Sequence, residues 1–145
     1  MKTLLLSLAA LFLVSVANAQ QSRLETALSE AHAGHKQVLL RFSGSDWCIP
    51  CIRMEKELFS DTLFHSYAGE NLVMVAADFP RLKKNRLPKE VQAENDRIAE
   101  KYNAEGSFPM LLLLDENGKV LRRWEGYVGE KPAAFVGQLA SLKAP

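Results

Sequence analysis

The sequence has no surplus of either charge. Once Lys2 is set aside with an N-terminal leader, 17 basic residues face 17 acidic ones. That balance argues against nucleic acid as a bulk electrostatic partner. There is also no internal repeat, no low-complexity tract and no stretch that reads as an interdomain linker, which leaves one ordinary globular domain. Beyond residue 19 no apolar run is long enough to cross a bilayer. Cysteine is nearly absent, the only two being Cys48 and Cys51.

The apolar run that does exist opens the chain. Lys2 precedes a stretch from Leu4 to Val16, broken only by Ser7 and Ser15, and Ala17-Asn18-Ala19 follows. A positive start, an apolar middle and a small-x-small site predict a signal peptide over 1–19, too short for a comfortable membrane anchor. No cysteine stands at the cut, so lipid modification is not indicated. The mature domain is then 20–145, large enough for a modest core. It is expected to be exported to the periplasm or an equivalent compartment, where disulfides persist.

Periodicity gives the order of elements. Leu24, Leu28 and Ala31 recur at helical spacing over Arg23–Ala33, with Gly34 as the stop. Val38–Phe42 reads as a strand, and Ser43-Gly44-Ser45-Asp46 as a turn. One helix is predicted from Cys48 to Phe59, since Pro50 is tolerated in a first turn. A short helix near Thr62–Tyr67 and an apolar strand Leu72–Ala77 come next. A basic loop, Arg81–Pro88, leads to a helix over Lys89–Tyr102. Met110–Leu114 and Lys119–Trp124 form a hairpin around Asn117-Gly118. A helix at Pro132–Leu142 closes the chain. Helices between strands, with a final hairpin, predict an α/β domain whose mixed sheet is covered on both faces.

Chemistry concentrates in Trp47-Cys48-Ile49-Pro50-Cys51. A cysteine at a helix N-terminus sits where the dipole stabilises a thiolate, the form that attacks disulfides. A second thiol three residues on can close a short disulfide and expel whatever the first has bound. Glu55 lies four residues after Cys51 and seven after Cys48, on the same helical face. Its carboxylate is an acid–base candidate near the second thiol, or else a solvated partner for a lysine. Two bland readings of the cysteines stand beside the redox one. A structural disulfide across so short a loop would be an inefficient staple. A zinc site would need His32 and His35 to converge on both thiolates, although a helix end attracts histidine without metal.

These residues resemble the thioredoxin superfamily: a C-x-x-C at a strand-to-helix turn behind a tryptophan, and Phe108-Pro109 immediately before a buried strand. Cys51-Ile52-Arg53-Met54-Glu55-Lys56 with Leu58-Phe59-Ser60-Asp61 is similar to exported thioredoxin-like proteins and to the C-terminal thioredoxin-like domain of the transmembrane reductant transporter DsbD. The resemblance implies a thioredoxin fold, about four strands in a central mixed sheet flanked by helices, here with an extra N-terminal helix. It implies a cis peptide before Pro109, where sequence alone leaves a trans proline on an edge strand open. Cys48 becomes the expected nucleophile and more exposed sulfur, Cys51 the resolving thiol, and Glu55 the match to a glutamate of the DsbD domain. Trp47, Pro50, Phe108 and Pro109 become the expected substrate-binding surface.

One departure stands out. Many thioredoxins and the DsbD domain carry a buried aspartate on the strand entering the site, whereas this strand ends Leu40-Arg41-Phe42. Asp46 is nearer but is expected to be exposed in the turn. The resulting expectation is a monomeric, exported protein-disulfide reductase that contributes to redox homeostasis and uses no metal or organic cofactor. Its partners would be disulfide-bearing proteins and a membrane or thioredoxin-type electron donor. The proline before the second cysteine resembles reducing thioredoxins, a resemblance that implies the reducing direction. An oxidase or isomerase, or a non-catalytic client-binding module, are the alternatives. The basic loop Arg81, Lys83, Lys84, Arg86 and Lys89 could steer an acidic partner, touch an anionic membrane or simply be solvated.

Overall fold

A computed structural model describes residues 22–143; the proposed leader, 1–19, lies outside them. Helix α1 (Arg23–Gly34) starts with a reciprocal cap: Ser22 Oγ accepts the Glu25 N–H, and the Glu25 carboxylate accepts the Ser22 N–H. Its end falls one residue later than expected. Gly34 stays helical, and His35 takes the left-handed turn (φ 51°), which lets Lys36 N–H close on the Ala31 carbonyl at 2.9 Å.

Strands β1 (Gln37–Ser43), β2 (Leu72–Asp78), β3 (Met110–Leu114) and β4 (Val120–Glu125) form one mixed sheet in the order β2-β1-β3-β4. β1 and β2 run parallel, and the remaining pairs are antiparallel. β1 is central and covered on both faces, so its side chains divide strictly by the two-residue period. Val38, Leu40 and Phe42 enter a core with α1 and with α4 (Lys89–Tyr102), including Leu24, Ala31 and Ile98. Leu39 points the other way, into a core with Met54, Phe64, Phe135 and Leu139 from helices α2 (Ile49–Met54), α3 (Thr62–Asn71) and α5 (Pro132–Ser141). Arg41 has the same parity as Leu39. The alternation therefore delivers its cationic side chain beneath the helix that carries the cysteines.

That helix, α2, spans Ile49–Met54 and continues as a π-helical segment, Glu55–Phe59. The expected extent of 48–59 is met, but the winding is not uniform. Ser60 terminates the wider turn with both its N–H and its hydroxyl on the Glu55 carbonyl, each at 2.9 Å. Glu55 itself keeps the α-helical bond to the Cys51 carbonyl, so it stays in register with the cysteines and the wider turn displaces only the residues that follow it. Such insertions recur at functional sites.

Candidate active site

Cys48 is the N-cap of α2, and its Sγ accepts the Cys51 N–H at 3.3 Å. The two cysteines are joined as a disulfide, with Cα atoms 5.2 Å apart. The burial of the sulfurs corrects one expectation. Cys48 is 3% exposed and Cys51 4%, so the first is no more open than the second in this oxidised form. Capping the helix and bonding to Cys51 both turn the Cys48 sulfur inward.

The preceding turn is built around Gly44, whose carbonyl accepts the N–H groups of Trp47 (3.2 Å) and Cys48 (2.9 Å). The Trp47 indole lies directly on Gly44, and a Cβ there would come within 2.3 Å of the ring, a clash. Glycine is the residue that allows this approach. The indole N–H donates to the Phe79 carbonyl at 2.7 Å, and Phe108 stands edge-on to both rings, 5.6 Å from Trp47 and 5.5 Å from Phe79. The Phe108–Pro109 peptide is cis, as the resemblance implies. Pro109 is buried and shares a crevice with Cys51, while Phe108 is half-buried and Pro50 exposed.

Asp46 is not a free turn residue. Its carboxylate accepts the N–H groups of Arg81 (2.9 Å) and Leu82 (3.0 Å) and the Asn85 side-chain amide (2.9 Å). The Arg81 N–H is the main cause holding the Asp46 carboxyl below its ordinary value, ahead of the Asn85 and Leu82 donors. The sign follows from a depressed acid: the tie is intact above the usual carboxylate range and is lost only as pH falls through the lowered value. Asp46→Ala should raise hydrogen exchange at the Arg81 and Leu82 amides by about tenfold, read residue by residue by NMR. Unchanged exchange would mean that the loop is held by something else.

On the opposite side of Cys51 lies a charged pair. Arg41 Nη1 donates to Glu55 Oε2. Both residues line a pocket of about 480 Å³ with Cys51, Ser43, Ala76 and Asp78. A smaller crevice of about 10 Å³ brings Arg41 and Glu55 to Cys51 and Pro109. Its volume is at the lower limit for one water. His32, one of the two histidines a zinc site would need, stands against Glu116 at 3.2 Å. Among the described residues no three His, Cys, Asp or Glu side chains converge as a metal site would require.

The sequence pattern of the thioredoxin-like domain family matches residues 24–143. The chain belongs to this family. Within it, the disulfide bond reductase DsbH of Chlamydia pneumoniae is 36% identical over 128 residues, 88% of this chain and 75% of the relative. The solved structure of a DsbH oxidoreductase superposes with a TM-score of 0.71 at 37% identity, covering 83% of this chain and 81% of its own. The oxidised C-terminal domain of DsbD from Neisseria meningitidis gives 0.53 at 23% identity, over 81% of this chain and 91% of that one, a likeness of fold alone. The protein is a DsbH-like thiol-disulfide oxidoreductase of thioredoxin fold with a Cys-x-x-Cys pair. In this thioredoxin-like domain the strand into the site carries Arg41, and an ion pair with Glu55 faces Cys51.

Three features of the site escape sequence reasoning: the Arg41–Glu55 pair, the Asp46 clasp on residues 81–85, and Arg81 lying over Trp47 at 3.6 Å. Only Arg41 left a signal, as a cation on a strand position otherwise apolar.

Proposed function

We propose that this protein is an exported protein-disulfide reductase, a single domain of 20–145 that acts as a monomer after removal of residues 1–19. Reduced Cys48 attacks one sulfur of a substrate disulfide and forms a mixed disulfide, releasing the other substrate sulfur as a thiolate. Cys51 then attacks Cys48 Sγ and releases the second substrate thiol, leaving the Cys48–Cys51 disulfide described above. Two electrons pass to the substrate, and a membrane or thioredoxin-type donor returns them. The direction is supported by the reductase name of a relative 36% identical to this chain. The Cys51 N–H aimed at Cys48 Sγ supports the nucleophile assignment, since it would favour the thiolate at the helix N-terminus.

Trp47, Pro50, Phe108 and Pro109 form the surface that receives the substrate chain. Exposed Pro50 and half-buried Trp47 and Phe108 surround the dithiol with apolar area. Glu55 takes the Cys51 proton, directly or through one water in the small crevice, while Arg41 holds the carboxylate in place. Because Arg41 balances its charge, Glu55 opposes a Cys51 thiolate less than an isolated carboxylate would. Glu55→Gln should slow resolution of the mixed disulfide by about tenfold to a hundredfold near neutral pH, and the deficit should shrink as pH rises. Rapid-quench measurement of the adduct's decay reads this directly; a pH-independent deficit would assign Glu55 a packing role.

The reading as a whole is tested by turnover. The mature protein should reduce a disulfide-bearing protein catalytically with a chemical dithiol as donor, and Cys48→Ser should abolish this while leaving the fold intact by circular dichroism. Persistence of turnover in Cys48→Ser would overturn the nucleophile. Client binding without turnover in the wild type would favour a holding module.

A further inference from the structure

The loop between β2 and α4 carries Arg81, Lys83, Lys84, Arg86 and Lys89, and no acid occurs between Phe79 and Lys89. All five cations are exposed. Among the described residues none of them joins an ion pair. With charge balanced over 20–145, the positive potential here is local and not a property of the whole chain.

The loop is also fastened to the dithiol. Asp46, two residues before Cys48, grips the backbone of Arg81 and Leu82 and the side chain of Asn85. Arg81 lies 3.6 Å over the Trp47 ring, next to Cys48 in the chain. Ile49, inside the C-x-x-C, is 77% exposed, and Leu82 is exposed as well. A chain that presents a disulfide to Cys48 therefore meets apolar surface first and, beside it, a row of exposed cations on a loop whose backbone is tied to the dithiol turn.

We propose that residues 81–89 are a second recognition element of the dithiol site, engaging aspartate and glutamate side chains that flank the substrate disulfide. This rests on the oxidoreductase reading above and names its substrate class: acidic polypeptides. A polypeptide is favoured over an anionic membrane because the clasp fixes the backbone of the cationic loop relative to the cysteines, a registration that a lipid surface would not need. Contacts of this exposed kind act chiefly on encounter and weaken with salt.

The test compares two synthetic peptides with the same disulfide loop, one flanked by glutamates and one by glutamines. Wild-type protein should reduce the glutamate peptide with kcat/KM about tenfold higher at low ionic strength, and the ratio should fall as salt is added. Lys83→Gln, Lys84→Gln and Arg86→Gln together should bring the ratio close to one, without moving the reduction potential of the cysteine couple. Equal rates for the two peptides in the wild type would overturn the proposal and leave the reductase reading standing. So would a triple variant that lowers both rates alike. Binding to phosphatidylglycerol vesicles, lost in the triple variant and unaccompanied by peptide preference, would overturn it in favour of a membrane surface. Reduction of neither peptide would sink the reductase reading, and this inference with it.

Discussion

Cys51→Ser will turn the protein from a catalyst into a trap. Cys48 can still attack a substrate disulfide, but no second thiol remains to expel the product. The mixed disulfide should accumulate to near stoichiometry, survive thiol blocking, disappear on addition of dithiothreitol and map to Cys48 by peptide mass. Turnover should fall by about a thousandfold or more in Cys48→Ser, which lacks the attacking thiol, whereas any residual turnover of Cys51→Ser should depend on the dithiol donor resolving the adduct in place of Cys51. Only Cys51→Ser should retain the adduct. The opposite pattern, with Cys48→Ser forming the adduct through Cys51, would reverse the two roles. The similar burial of the two sulfurs makes that reversal a real alternative. The asymmetry predicted here rests on the helix N-cap position and on the Cys51 N–H directed at Cys48 Sγ.

The largest expected effect on stability lies far from this chemistry. Phe135 on α5 is fully buried, 5.2 Å from the Trp124 ring in an edge-on arrangement and 6.2 Å from Phe64. It joins α3 and α5 to the face of the sheet that also supports α2. Phe135→Ala removes a ring and leaves a cavity that three elements cannot easily close, so the cost should be about 3–5 kcal/mol. Against a typical total of roughly 5–15 kcal/mol, that is a large share. Urea unfolding of the oxidised protein should show a lower midpoint with an unchanged slope. The surviving folded fraction should still form the trap when combined with Cys51→Ser. A loss below about 1 kcal/mol would mean that the site collapses readily and that the second core is looser than its burial indicates.

What could be read in the sequence was what is local in the chain. The strands of β1, β2 and β3 announce themselves as short apolar runs, and α4 has the expected bounds because its buried positions recur at helical spacing. Cys48, Pro50 and Cys51 lie within one turn, and Phe108-Pro109 are adjacent, so both signatures were visible without a fold. The winding change at Glu55–Phe59 was not, since no residue there is one that an α-helix excludes. The helix stops at His35 and not at Gly34 because closure of the helix end is decided by backbone hydrogen bonds, not by residue type alone.

The site's electrostatics were hidden for a different reason. Arg41 and Glu55 are fourteen residues apart, and Asp46 and Arg81 thirty-five. Only the parallel pairing of β1 with β2 and the seating of α2 over Arg41 bring them together. Asp46 looked like an ordinary exposed turn acid until the loop it clasps was placed beside it. Trp47 reads from the sequence as part of the substrate-binding surface; its role as the platform for Arg81 depends on where β2 ends. Position in the chain thus located the reactive sulfurs, and tertiary structure located the charges around them.

The direction of electron flow is the central claim, and the reduction potential of the Cys48–Cys51 couple tests it most directly. The mature protein would be equilibrated against graded thiol–disulfide buffers and the oxidised fraction counted by thiol labelling and mass spectrometry. A potential near the roughly −270 mV of thioredoxin is predicted, placing the protein as a reductant that needs a strong donor. A potential near the roughly −120 mV of DsbA would contradict the account and make the protein an oxidant of the same fold.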